Sequence, residues 1–183
     1  VVRSPVANIL FVAVMLGTVL LPVGAAKSDE PKAIGLKAAN FTLQDQFEKT
    51  WKWTDQWRGK PTVLVMSDWK GSSYIDAWTK PLAAKYADKV AFVAMADLSL
   101  TQEAPSFMQG TIQNTIRGRF ADAYTLPILM DWKGTVVRYY RIRSGLPNVL
   151  FIDASGIVQL HTWGKGSDSH LASFTEAMER HLQ

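Results

Sequence analysis

Asp68-Trp69-Lys70-Gly71 and Asp131-Trp132-Lys133-Gly134 are the same tetrapeptide, each placed directly after an apolar run, TVLVMS and LPILM. The first continues into Ser72 and Ser73, so a carboxylate, an indole, an ammonium and two hydroxyls follow one another at a strand end. Where a helix begins, free N–H groups and the helix dipole attract negative charge, and Lys70, Ser72 and Ser73 could line an anion or exogenous-thiolate site there. The plainer reading makes Ser72 or Ser73 an N-cap or first-turn residue. Asp97 also ends an apolar run, so Asp68, Asp97 and Asp131 could converge, although solvated loop carboxylates are the simpler account. His161, His170 and His181 are too far apart for a helix-spaced metal pair, and with no cysteine to join them no metal site is expected. The absence of cysteine from all 183 residues also removes any thiol chemistry of the chain's own.

These groups must be positioned by the surrounding periodicity. Phe41 to Leu43 and Thr50 to Trp53 read as short strands around the polar turn QDQFEK. Pro61 to Ser67 has the continuous apolar, β-branched character of a buried central strand. From Gly71 to Asp88, Tyr74, Ile75, Trp78, Leu82 and Tyr86 recur at helical spacing, with Pro81 expected to kink the helix. Val90 to Met95 is a second buried strand; Phe107, Ile112, Ile116 and Phe120 then mark a helix within 105–124, with Thr101 or Ser106 as caps. Leu126 to Met130 is a third apolar run, and Val136, Val137 and Tyr140 fit a helical face. Asn148 to Ile152 and Ile157 to Trp163 form a hairpin around Asp153-Ala154-Ser155-Gly156, before an amphipathic helix through Leu171, Phe174, Met178 and Leu182. Strands alternating with crossover helices and closing on a hairpin specify an α/β sheet with helices on both faces. The flanks of the two tetrapeptides share only helical pattern, so the pair reads as two strand-to-helix turns without duplication.

At the start of the chain, Arg3, an uncharged apolar stretch from Val6 to Leu21, Pro22 and the small residues Gly24, Ala25 and Ala26 have the layout of a secretory signal. Residues 1–26 are therefore read as a signal peptide, 27–37 as a polar linker and 38–183 as one domain. An uncleaved anchor is the rival reading and the only membrane attachment expected, since a lipid-modified cysteine is excluded. Removing residues 1–26 costs only Arg3, lowering the formal charge from +4 to +3. Lys and Arg are otherwise scattered, and Arg138, Arg141 and Arg143 are spaced as a solvated helix face. No phosphate-tracking stripe is present, so no nucleic-acid partner is expected. Of the seven tryptophans, Trp69 and Trp132 stand in turns at strand ends and are the candidates for exposed aromatic contact.

The strand Phe41-Thr42-Leu43, the entry Arg58-Gly59-Lys60-Pro61 into VLVMS, and the closing SGLPNVLFIDASGIVQLHTWG together resemble thioredoxin-fold redoxins of the AhpC/TSA and TlpA type, over residues 38 to 183. Within them the chain is most similar to small exported redoxin-like proteins of the YtfJ type that lack a cysteine pair. The resemblance implies a thioredoxin-like fold with a central mixed sheet, in the periplasm or outside the cell. In catalytic members the loop after the central strand carries Trp-Cys-x-x-Cys or a peroxidatic cysteine; here the matching stretch is Trp69-Lys70-Gly71-Ser72-Ser73, with Lys70 and Ser73 at the cysteine positions. A serine hydroxyl does not ionise at a helix start as a thiol does. Pro147, after Leu146, matches the family's cis-proline, whose loop faces the cysteine loop and pairs with an extended peptide. The expectation is thus a non-catalytic module that needs no cofactor and binds an extended peptide or periplasmic protein through Trp69, Lys70, Ser72, Ser73, Leu146 and Pro147. The alternative is an oxidoreductase, redoxin- or peroxidase-like or glutathione-dependent, holding an external thiol at Lys70, Ser72 and Ser73.

Overall fold

The computed structural model describes residues 33–101, 105–120 and 127–183; the expected signal peptide lies outside the described residues. β1 (Thr42–Gln44) and β2 (Thr50–Lys52) form an antiparallel ribbon, followed by the short helix α1 (Trp53–Gln56). β3 (Thr62–Ser67), α2 (Ile75–Tyr86), β4 (Ala91–Asp97), α3 (Ser106–Phe120), β5 (Ile128–Asp131), α4 (Thr135–Tyr139), β6 (Asn148–Ile152), β7 (Val158–Trp163) and α5 (Asp168–Glu179) complete the unit. The main sheet runs β5-β4-β3-β6-β7, with β3, β4 and β5 parallel and β6 and β7 antiparallel to their neighbours.

β3 is central and buried at every position, as its unbroken apolar run requires. Alternate residues feed opposite faces. Leu64 and Met66 join Val93, Met95, Leu129, Leu150 and Ile152 beneath α1 and α4, while Val63 and Val65 join Phe151 beneath Trp78 and Leu82 of α2 and Phe174 and Met178 of α5. The expected two-faced α/β architecture is therefore present, and α2 continues through Pro81 without interruption.

Each sheet edge is covered in part. At β7, Gly35 N donates to Val158 O, Val158 N to Leu36 O, and Ala38 N to Gly156 O. Residues 33–37, read from sequence as the end of a linker, are thus part of the folded unit, with Ala33 fully buried. Nothing in the short stretch Ala33-Ile34-Gly35-Leu36-Lys37 signals a pairing made with residues more than a hundred positions away. At β5, Asp45 bridges Leu129 and the Gln46 side chain accepts the Ile128 N–H at 2.8 Å. Gln46 also accepts from Arg117 through its backbone carbonyl, tying the β1–β2 turn to α3.

Two local expectations are corrected. Trp53 begins α1 instead of ending β2 and is buried with Phe41 and Trp57. Arg138, Arg141 and Arg143 do not share a helix face: α4 stops at Tyr139 and Arg141 takes a φ of 53°. Tyr140 accounts for the stop, because its fully buried hydroxyl must accept the Ala39 N–H at 2.7 Å. Burial pushes that phenol up to about 12.

Candidate functional site

The loop after β3 is organised by Asp68. Its Oδ1 accepts the Gly71 N–H at 3.0 Å, while Oδ2 accepts Ser144 Oγ at 2.6 Å and Gly145 N at 2.8 Å. Burial would raise the Asp68 pKa, but hydrogen bonds from Ser144, Gly71, Gly145 and the Lys70 backbone outweigh it and hold the carboxyl below its usual range. Asp68 is therefore a clamp joining this loop to the loop before Pro147. Gly71 makes the contact close: a Cβ there would lie 2.8 Å from the Leu146 carbonyl carbon and 2.4 Å from Ser67 Oγ. Only a residue without a side chain permits that approach.

On the opposite side of the junction stands Asn148, which is fully buried. Its Nδ2 donates to Arg143 O at 2.7 Å and Leu146 O at 3.0 Å; its Oδ1 accepts Arg143 N at 2.8 Å. His161 Nε2 lies 3.2 Å from the same Oδ1, an arrangement that makes Nε2 the donor and leaves the buried Nδ1 without a partner. Burial lowers the His161 pKa to about 4, so the ring is neutral at physiological pH.

The site residues expected from sequence fall as follows. Trp69 is 71% exposed, whereas Trp132 is only half-exposed. Lys70 is exposed, its Nζ 6.0 Å from the Trp69 ring centre. Ser72 and Ser73 are first-turn residues of the 3₁₀ turn Ser72–Tyr74 that leads into α2, but neither caps it: Ser72 Oγ donates to Trp69 O at 2.8 Å, and the turn has no side-chain cap. Asp68 performs the acceptor role assigned to serine. Ser73 is exposed, Leu146 is half-buried and Pro147 is buried. The Leu146–Pro147 bond is trans, since no cis peptide occurs among the described residues, in contrast to the form implied by the resemblance.

The three carboxylates do not converge on one centre: Asp68 and Asp97 line a common cavity, and Asp131 stands apart from it. Asp97 Oδ1 accepts Ser99 N at 3.0 Å. Asp131 serves α4, accepting from Thr135 N at 3.0 Å, Val136 N at 2.8 Å and Val137 N at 3.1 Å. Gly134, at φ 62°, turns the chain into that helix. The repeated tetrapeptide is thus a device in which aspartate satisfies backbone N–H groups three or more residues ahead. Only its first copy also reaches a distant loop. Among the described residues no group of His, Asp or Glu could hold a metal ion.

A feature that sequence reasoning missed lies behind this loop. A cavity of 240 Å³ separates α3 from the sheet, lined by Ile75, Ala94, Ala96, Ile112, Ile116 and Ile128 among others, with Trp69 and Ser72 also contributing. Along β4 the face that carries Phe92 shrinks to Ala94 and Ala96, which leaves the space. That drop in side-chain size was the available signal. α3 does not fill it, because Phe107 is 74% exposed and points the expected apolar stripe partly away from the core.

The sheet order, the flanking helices and the clamped loop pair define the thioredoxin-like class of α/β proteins. More narrowly, the chain belongs to the AhpC/TSA family, whose sequence profile matches residues 34–161. No curated protein matches in a sequence search. Similar solved structures include the pneumococcal exposed lipoprotein thioredoxin of Streptococcus pneumoniae, at 24% identity and TM-score 0.58, covering 75% of this chain and 99% of that one. Another is the peroxidoxin BcpB of Mycobacterium tuberculosis, at 19% identity and TM-score 0.55 over 79% and 97%. A thiol-disulfide oxidoreductase of Bacteroides fragilis is similar at 14% identity and TM-score 0.53 over 76% and 99%. At these identities the likeness establishes the fold. Chemistry has to be argued from the residues, and this chain contains no cysteine.

Proposed function

We propose that this protein is an exported, non-catalytic redoxin-fold module of the YtfJ type, binding an extended peptide or partner protein in the periplasm across the Trp69–Ser73 and Leu146–Pro147 loops. The observation that carries the reading is Trp69: a large indole, 71% exposed, on a loop held by three hydrogen bonds to Asp68. Exposed aromatic anchors on pre-organised loops supply contact area with little ordering cost on binding. A thiol-disulfide exchange reaction lacks its nucleophile here, and Ser72, whose hydroxyl donates to the Trp69 carbonyl, is no replacement. The apolar stretch from Val6 to Leu21 supports export.

The test is binding of periplasmic proteins and arrayed extended peptides to the chain beginning at residue 27. Trp69→Ala is expected to weaken capture about tenfold, an anchor's worth of roughly 1.4 kcal/mol, with an unchanged circular dichroism spectrum. Capture that survives this substitution, or insulin reduction by the purified protein with or without glutathione, overturns the reading.

A further inference from the structure

The cavity between α3 and the sheet is not explained by the fold. Its walls come from β4, β5, α2 and α3, through Ala94, Ala96, Ile128, Ile75, Ile112 and Ile116. Protein interiors are packed close to crystal density, and a space whose walls are chiefly apolar holds water poorly; the polar lining members are Ser67, Asp68, Ser72, Asp97, Thr111 and Thr115. A dry cavity of about 150 Å³ holds benzene, so 240 Å³ accommodates a hydrocarbon group of about ten non-hydrogen atoms. The lining is also asymmetric in charge. Among the described residues, Asp68 and Asp97 are its ionisable members, and neither Lys nor Arg lines it. Asp68 is kept as a carboxylate by the hydrogen bonds that it accepts.

We propose that this cavity is a binding site for a small apolar ligand, an aliphatic chain or aromatic group of about ten non-hydrogen atoms whose head group is neutral or basic. A carboxylate head, as on a fatty acid, meets two like charges and is selected against. The site shares Trp69 and Ser72 with the loop surface but is distinct from the peptide reading: the ligand sits behind Trp69, between helix and sheet, and requires neither Leu146 nor Pro147. Small side chains at Ala94 and Ala96 make the room, so enlarging them from the sheet side, or Thr115 from the helix side, occupies it.

The experiment is calorimetric titration of the chain beginning at residue 27 with octan-1-ol, octylamine and octanoate, on the unsubstituted protein and on Ala96→Leu and Thr115→Leu. Saturable one-to-one binding of octanol and octylamine is expected, with octanoate at least tenfold weaker. Both substitutions are expected to weaken octanol at least tenfold, and Ala96→Leu to leave the melting temperature equal or higher because it fills a void. Thr115→Leu, on an exposed helix position, provides the result should Ala96→Leu fail to fold. No saturable binding, binding unaffected by filling the cavity, or octanoate binding as tightly as octylamine overturns the proposal. Loss of peptide capture in Pro147→Ala with octanol binding intact separates this site from the loop surface, because Pro147 does not line the cavity.

Discussion

At the residue scale, polar groups that look like chemistry in the sequence prove to be joinery. Asp68, Asp131 and Asn148 each satisfy several backbone groups, and Asp45 does the same for the β1–β2 turn through Phe47 N, Lys49 N and Trp51 Nε1. His161 is the exception, because one buried nitrogen has no partner. Its pKa of about 4 in the folded protein lies below the value near 6.5 expected when unfolded, so between them the unfolded chain binds the extra proton. Stability is therefore full above pH 6.5 and falls as pH drops towards 4, by on the order of 3 kcal/mol. Urea melts at pH 7, 5.5 and 4.5 are expected to show that loss, and His161→Phe to flatten it. A profile equally steep in both proteins removes His161 as the cause.

At the scale of elements, the strands, helices and closing hairpin were legible because apolar periodicity reports burial directly. Partners distant in sequence were not. Ser144 lies 76 residues from Asp68, and nothing in SSY or SGLP signals that an aspartate links them. The sequence therefore leaves Ser72 and Ser73 open as N-cap or first-turn residues; they are first-turn residues, and the carboxylate one turn earlier is the acceptor. α2 runs unbroken across Pro81, with Ile75, Trp78, Leu82 and Tyr86 all anchored in the core. The closeness of the two loops gives a prediction. Gly71→Ala places a methyl group against Leu146 backbone, which cannot yield as a flexible side chain would. Overpacking of this kind costs about 1–3 kcal/mol, so a lower melting temperature is expected together with faster amide exchange at Gly145. An unchanged melting temperature would show that the loops separate freely.

For the whole molecule, covered edges decide how it meets other chains. An open β edge invites pairing with any extended segment, and here residues 35–38 occupy the start of β7, at Gly156 to Val158, while Asp45 and Gln46 occupy β5. The two-faced sheet is readable from sequence, but the coverings are not, since each is a short stretch without strand periodicity whose partner lies more than eighty positions away. Deleting residues 1–38 is expected to leave a folded core that self-associates through β7, detectable as concentration-dependent light scattering absent from the chain beginning at residue 27. Gln46→Ala provides the matching test at β5: the Ile128 N–H loses its buried acceptor, at a cost of about 1–3 kcal/mol in denaturant melts. A monomeric deletion variant would show that the covering strand serves another purpose.

Trp53, Trp57 and Trp78 are buried, Trp51, Trp132 and Trp163 half-buried, and Trp69 alone of the seven lies mostly in water. The red side of the intrinsic emission thus arises chiefly from one indole, the first that a soluble quencher such as iodide would reach. Occupancy of the loop, by whatever partner, can be followed optically in the native chain with no dye attached.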